Sequence, residues 1–185
     1  MIFQTLLSLA FGPVSALAAG TILPDSSAVY NTGTGALNCT THAIISKSTT
    51  NNGQDKTSLL SFTFDDTLRN RTCQLGLNLT SANNASTPGS KQLQLYKSLR
   101  PSLACSGSNI TRSSWPPGNQ RGTHIATFDL LTNSSSILQA VSAAQFVEET
   151  PCPANQTFTY ELVGIGDGVT VEFETLVEGL VMNYL

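Results

Sequence analysis

Residues 156–174 read QTFTYELVGIGDGVTVEFE, and this stretch decides the fold class. Apolar residues occupy every second position on both sides of the glycine-rich segment 166–168, namely Phe158, Tyr160, Leu162, Val169, Val171 and Phe173. An apolar period of two is typical of a strand with one buried face, whereas a helix repeats every three to four residues. The stretch therefore predicts a β-hairpin that turns at 166–168.

The same period extends through most of the preceding chain. Further alternating apolar positions are Leu60, Phe62, Phe64, Cys73, Leu75, Leu77, Leu79, Leu93, Leu95, Ala126, Phe128 and Leu130. Many short strands separated by turn residues are typical of two packed sheets. We expect an all-β, mainly antiparallel, single-domain β-sandwich that is bridged by disulfides and contains at most one short helix.

Two segments leave alternatives open. Residues 135–146 place apolar side chains at helical spacing, so they form either a short helix or a loop that feeds a strand near Phe146. Residues 176–185 are apolar but contain Glu178 and Asn183, and they form either a last strand or a packed tail. They are too short and too polar for a lipid-anchor signal.

The N-terminus predicts export. Residues 2–17 are mostly apolar and contain no charged side chain, and small residues at Ala16 and Ala18 fit a signal-peptidase site, so we expect a signal peptide at 1–18. Pro13 interrupts this run, which is shorter than the roughly 20 residues that cross a bilayer. The remaining chain divides into a Ser/Thr/Asn-rich, partly packed segment at 19–57 and the β-sandwich domain at 58–185. The expected location is extracellular, with the cell wall as one candidate, and no membrane span remains after cleavage.

Low charge and many glycosylation motifs accompany this signal. Only 11% of residues are charged, and the net charge of −3 gives no indication of a nucleic-acid or anionic-membrane partner, so we expect neither. The chain has seven Asn-X-Ser/Thr motifs, where chance would give roughly three. The predicted glycosylation sites are Asn38, Asn70, Asn78, Asn84, Asn109, Asn133 and Asn155.

The cysteines predict disulfides rather than a metal site. All 4 lie beyond the signal, and in an oxidising compartment they would form two bridges with three possible pairings. We favour Cys73–Cys152 together with Cys39–Cys105. Because the chain has no CxxC spacing, we expect no metal and no cofactor.

One polar turn is a candidate ligand site. The proline pair in the segment 114–121, SWPPGNQR, is followed by a glycine, which predicts a rigid entry and a tight turn. Trp115 could stack on a sugar beside Asn119, Gln120 and Arg121. In the structural alternative, Trp115 caps the core, and Arg121 binds backbone carbonyls or pairs with Asp167.

This segment and a second one carry a family resemblance. The second runs from Pro151-Cys152-Pro153 through Tyr160-Glu161-Leu162-Val163 to Gly166-Asp167. Together with the Phe62, Phe64 and Cys73 strands, they resemble the fungal ubiquitin 3 binding protein But-two C-terminal domain family over roughly residues 58–175. The resemblance implies a compact β-sandwich of the kind found in secreted fungal proteins of unknown activity.

The chain departs from that family pattern in two places. Gly122 stands where the resemblance implies an acidic residue, and Asn155 stands where it implies glycine. The founding member is intracellular and is linked to the neddylation-activating enzyme. A chain with a signal peptide and disulfides would not meet that partner.

Catalytic patterns are weak. There is no Gly-x-Ser-x-Gly elbow, and nothing in the sequence brings His124 together with Asp129 or Asp167. Carboxylates that could serve glycoside hydrolysis are Asp65, Asp66, Asp129, Glu161 and Glu172. The alternation assigns Glu161, Glu172 and Glu174 to a solvated face, where they would be surface charge.

We therefore expect a non-enzymatic, secreted binding module, cell-wall-associated or effector-like, whose partner is a cell-wall glycan or a host protein. The alternatives are a structural extracellular protein without a discrete ligand and, less favoured, a hydrolase.

Overall fold

The computed structural model describes residues 20–79, 83–86, 92–99, 103, 121–132, 138–140, 145–146 and 149–185. In the described residues the strands are β1 Gly20–Ile22, β2 Ser26–Asn31, β3 Leu37–Cys39, β4 His42–Lys47, β5 Lys56–Phe64, β6 Thr72–Asn78, β7 Asn83–Ser86, β8 Gln92–Ser98, β9 Arg121–Thr132, β10 Leu138–Ala140, β11 Gln145–Phe146, β12 Thr150–Pro151, β13 Gln156–Ile165, β14 Val169–Glu174 and β15 Gly179–Tyr184. A single 3₁₀ turn, Asp66–Leu68, follows β5, and Asp65 caps it by accepting a hydrogen bond from the Thr67 amide.

The strands form two antiparallel sheets that pack face to face, which confirms the predicted all-β fold. The smaller sheet has the order β1-β15-β6-β11, and β12 also pairs with β6. The larger sheet has the order β10-β9-β8-β13-β5-β4-β14-β7, and β2 joins it on β5 and carries β3. Of the N-terminal strands, β1 belongs to the smaller sheet, whereas β2, β3 and β4 belong to the larger one.

The main core lies between the two sheets, and the alternating residues fill it. Phe62 and Phe64 of β5 are 0% exposed, and they meet Leu77 of β6 and Leu180 of β15 in one apolar cluster. The Phe62 ring packs edge-on against Tyr160 with ring centroids 5.9 Å apart. Burial of such side chains is the main favourable contribution to folding.

The disulfide Cys73–Cys152 is present, as predicted. It connects the start of β6 in the small sheet to the residues just before β13 in the large sheet, with the two Cα atoms 4.8 Å apart. Cys39 is also disulfide-bonded. Its predicted partner, Cys105, lies outside the described residues.

The predicted hairpin is only partly correct. β13 and β14 flank a turn with positive φ at Gly166 (68°) and Gly168 (78°), but the two strands form no ladder with each other. β13 pairs with β5 and β8, and β14 pairs with β4 and β7. The local alternation and the glycine turn predict where the two strands lie in the sequence. Contacts with strands that are distant in sequence determine which strands they pair with.

The two open segments are now assigned where they are described. Within 135–146, residues 138–140 pair with β9 and residues 145–146 pair with β6, so the helix prediction is wrong there and the strand near Phe146 is confirmed. The C-terminal residues form β15, a strand between β1 and β6. Among the described residues, no helix has the length and apolar character needed to span a bilayer.

Replacing both Cys73 and Cys152 with serine should lower the free energy of unfolding by about 4 kcal/mol. The bridge spans 79 residues of sequence, so its loss frees a large loop in the unfolded chain. Urea unfolding of the variant and the parent protein measures the difference. An unchanged unfolding midpoint would contradict a stabilising role.

Tyr160 should make the fold sensitive to alkaline pH. Burial raises the pKa of its phenol from 10.0 to about 12. The folded state favours the neutral phenol, so the contribution of Tyr160 to the free energy of unfolding is fully present below pH 10. It falls by roughly 1.4 kcal/mol per pH unit as the pH rises towards 12. Tyr160→Phe should remove this part of the slope in denaturant unfolding measured across that range. Equal slopes in both proteins would show that Tyr160 does not carry the effect.

Candidate functional site

The candidate site lies on the outer face of the large sheet, which points away from the main core. Since side chains alternate, the β5–β13 ladder sends Leu59 and Glu161 to this face as direct neighbours. The adjacent strands add Tyr30 opposite Thr57 and Tyr96 opposite Glu161. These residues all come from strands, so the backbone ladders fix their relative positions.

A small apolar cluster covers part of this face. It consists of the buried residues Ala28, Tyr30, Leu37, Leu59 and Leu103. Leu103 belongs to the connection between β8 and β9, and it is 8% exposed. The outer face is therefore partly covered by other residues of the chain, and polar residues beside the cluster, such as Glu161, are buried.

Glu161 and Arg121 form a two-pronged ion pair next to this cluster. The Arg121 Nε donates to Glu161 Oε2 at 2.9 Å, and Arg121 Nη2 donates to Oε1 at 3.0 Å. The side chain of Glu161 is 7% exposed and that of Arg121 is 36% exposed. A parallel fork of this kind restricts both side chains to one geometry.

This pair corrects two expectations. Glu161 is not a surface charge, because the face it shares with Leu59 is covered. Arg121 pairs with Glu161 rather than with Asp167, which is exposed in the turn after β13. Glu174, at the end of β14, is exposed, as the alternation predicted.

The charge state of Arg121 is held by its partner. Partial burial of the guanidinium lowers its pKa, but the hydrogen bonds and the negative charge of Glu161 outweigh that effect, with smaller contributions from Tyr96 and Tyr30. The net result is a pKa above the ordinary value for arginine. Arg121 is thus a permanent cation.

Aromatic residues extend the site along β8 and β9. The Tyr96 ring lies edge-on to His124 at 5.4 Å, and the Arg121 guanidinium carbon lies 5.6 Å from the centre of the same ring. The Tyr96 hydroxyl donates to the Gln94 side-chain oxygen at 2.7 Å. The ring is thereby held beside the ion pair.

A cleft of about 270 Å³ opens next to Arg121 and Glu161. Its walls come from the ends of β2, β4, β5, β9 and β13 and from Asp55, which precedes β5. The lining residues are Tyr30, Thr32, Ser46, Lys47, Asp55, Lys56, Thr57, Arg121, Glu161, Val163 and Gly164. The lining combines hydroxyls, both signs of charge and few apolar side chains, which suits a hydrophilic ligand.

Two hydroxyl groups in the wall of this cleft are unpaired. Tyr30 and Thr57 are 4% and 1% exposed, and neither hydroxyl has a hydrogen-bond partner within the described part of the chain. They are ladder partners on β2 and β5, so the two side chains start from adjacent positions on the same face. A buried hydroxyl without a partner costs roughly 1–3 kcal/mol, and native proteins rarely retain one without a reason.

The structure locates only one of the four residues of the sequence-predicted ligand site. Arg121 lines the cleft, while Trp115, Asn119 and Gln120 lie outside the described residues. Sequence reasoning missed Tyr30, Thr57 and Lys47, which come from the N-terminal strands. The lone tyrosine in a Ser/Thr/Asn-rich segment was a possible signal, but its position depends on pairing between β2 and β5.

The described glycosylation motifs lie away from the cleft or on another face. Asn38, Asn70, Asn78 and Asn155 are exposed. Asn155 donates to Asp66 at 2.8 Å and precedes β13, which places it about 20 Å along the strand from Glu161. Asn38 points away from Leu37 and Tyr30 on its strand pair. Asn84 lies in β7, while Asn109 and Asn133 lie outside the described residues.

The candidate catalytic residues do not share a site in the described part of the chain. His124 contacts Tyr96 and Thr127 and does not line the cleft. Asp129 accepts from Gln92, and Asp66 pairs with Arg69 beside the 3₁₀ turn. Nowhere in the described ranges do three His, Cys, Asp or Glu residues come together as a metal site would require.

Comparison with models of known protein families and with curated proteins finds no match to this chain. The fold and the cleft therefore carry the functional argument.

Arg121→Ala should lower the free energy of unfolding by about 2 kcal/mol, because it leaves the buried Glu161 carboxylate without a partner. The matched control is Arg69→Ala, which breaks the exposed pair with Asp66 and should cost at most about 0.5 kcal/mol.

The double variant Arg121→Met, Glu161→Met should recover most of that loss, since no buried charge remains. Chemical unfolding of all three variants measures the set. Equal losses for Arg121→Ala and Arg69→Ala would contradict the structural importance of the pair.

Proposed function

We propose that this chain is a secreted, N-glycosylated, non-catalytic binding module that takes a glycan unit in the cleft beside Arg121 and Glu161. The observation that carries the proposal is the pair of buried, unpartnered hydroxyls of Tyr30 and Thr57 in the wall of a polar cleft. Both oxygens are closed to solvent in the structure, so a ligand supplies the missing hydrogen bonds when a shift of the cleft wall exposes them. A ligand with hydroxyl groups is suited to this role, because each hydroxyl both donates and accepts.

The size and chemistry of the cleft support a small, hydroxylated ligand. Its volume of about 270 Å³ is close to the lower end of the range for ligand clefts, which begins at about 300 Å³. Lys47 and Lys56 offer donors, and Val163 adds an apolar side chain to the lining. Sugars present the same mixture of hydroxyl groups and apolar ring faces.

Export is supported by three features. The chain contains the disulfide Cys73–Cys152, and such bridges persist in oxidising compartments. The described motifs at Asn38, Asn70, Asn78 and Asn155 are exposed, as acceptor asparagines must be. A cut after Ala18 would leave β1 whole, since that strand begins at Gly20. We infer from the same features that the module acts outside the cell or at the cell wall.

The family resemblance remains part of this proposal. Its two motif segments meet at the ion pair, because segment 114–121 ends in Arg121 and the second segment contains Glu161. The ion pair between Arg121 and Glu161 would explain why these two residues occur together. We propose on this basis that the chain is a secreted member of the fungal But-two C-terminal domain family.

The test is a glycan screen followed by calorimetric titration of the best ligand into the parent protein and two variants. Tyr30→Phe and Thr57→Val each remove an unpartnered hydroxyl, so both proteins should be as stable as the parent or more stable. Each should bind the ligand about three- to tenfold more weakly, because one hydrogen bond to the ligand is lost.

Tyr184→Phe is the matched control, since Tyr184 lies in β15 of the other sheet, and this variant should bind normally. Absence of binding to every glycan in the screen would overturn the proposal. Unchanged affinity in both cleft variants would move the site elsewhere.

A further inference from the structure

The cleft collects positive charge on an acidic protein. The chain has 9 Lys and Arg residues and a net charge of −3, yet Lys47, Lys56 and Arg121 all line this one cleft. The two acids in the lining are Asp55 and Glu161. The lining therefore has one positive charge in excess, opposite in sign to the protein as a whole.

The acids in the lining are occupied by other groups. Glu161 is bound at both oxygens by Arg121. Asp55 accepts from the Asn51 side-chain amide at 2.7 Å and from the Ser48 backbone amide at 3.3 Å. Neither carboxylate lies within 4.0 Å of a lysine nitrogen in the described part of the chain.

The two lysines are cations of the cleft without a partner in the described ranges. Lys56 is the ladder partner of Ser46, whereas Lys47 is the next residue along β4 and starts from the opposite face of that strand. Both nevertheless line the cleft. Neither lysine has an ion pair or a side-chain hydrogen bond within the described ranges, so both charges are available to an anionic ligand.

We propose that the ligand of this cleft is an acidic sugar, a glycan unit whose carboxylate binds Lys47 and Lys56 while its hydroxyl groups reach Tyr30 and Thr57. This inference rests on the proposed function and specifies its substrate class. The carboxylate satisfies the excess positive charge, and the hydroxyl groups satisfy the buried, unpartnered pair. A neutral sugar would meet only the second requirement, and inorganic phosphate would meet only the first.

The test is calorimetric titration of the full mature chain with digalacturonic acid, with its neutral counterpart galactobiose and with inorganic phosphate. Digalacturonic acid should bind about tenfold more tightly than galactobiose, because charge-assisted hydrogen bonds are roughly twice as strong as neutral ones. Its affinity should also fall as salt is added. Phosphate should bind more weakly than digalacturonic acid.

Lys47→Met and Lys56→Met keep the apolar length of the side chain and remove its charge. Each should reduce the preference for the acidic sugar, and the double variant should abolish it, while binding of galactobiose is retained. Lys97→Met is the matched control, since the Lys97 ammonium lies 3.7 Å from the centre of the Phe158 ring rather than in the cleft. Lys56→Glu provides a second test in which the preference should reverse.

The outcomes separate the two proposals. Equal binding of the acidic and neutral sugars, or an unchanged preference in the lysine variants, would overturn the acidic ligand and leave a glycan-binding module. Phosphate binding as tight as that of digalacturonic acid would overturn the sugar acid in favour of a simple anion. Failure of both sugars, together with a negative glycan screen, would overturn the binding module itself.

Discussion

The antiparallel pairing of β5 with β13 is the constraint on which the rest of the molecule depends. It joins seven residue pairs, from Gln156 opposite Phe64 to Leu162 opposite Ser58. Because side chains alternate between faces, this one register sends Phe62 and Tyr160 into the core and Glu161 to the outer face. A slip by one residue would exchange the two sets, so the core and the cleft cannot be arranged independently.

Partial covering of the outer face turns an ordinary sheet surface into a site. Leu59, the ladder partner of Glu161, belongs to the apolar cluster on this face, and the buried carboxylate then requires Arg121 as a partner. The same arrangement leaves Tyr30 and Thr57 buried at the wall of the cleft. The polar groups there are consequently held in fixed positions by strand ladders and a fork-shaped ion pair, which reduces the entropy lost when a ligand binds.

Much of the fold could be predicted from the period of two, since burial of one strand face is a local property of the sequence. The strands around Phe62, Leu75, Leu95 and Phe128 occur where the alternation places them. The partner of β13 could not be predicted this way, because β5 and β8 are distant in sequence and the glycine turn to β14 gives no information about edges. Burial of Glu161 was missed for a related reason: alternation identifies a second face but does not say whether other residues cover it.

The candidate site was predictable only at Arg121, which belongs to an unusual proline-containing segment. Tyr30, Thr57, Lys47 and Lys56 come from a stretch of ordinary polar composition, and only the ladders from β2 to β5 and from β4 to β5 bring them to one cleft. Chemistry that depends on register between remote strands leaves no mark in the local sequence. A Ser/Thr/Asn-rich segment can therefore contribute most of the lining of a candidate site.

The bridge between Cys73 and Cys152 has a consequence for how the protein responds to proteolysis. It encloses residues 74–151, a span that includes β8 and β9 and the connection between them. A protease that cuts once within this span produces two new termini but releases no fragment, because the pieces stay joined through sulfur. The nicked halves also remain paired along β8, β13 and β5, so a single cleavage leaves the scaffold of the sheet assembled.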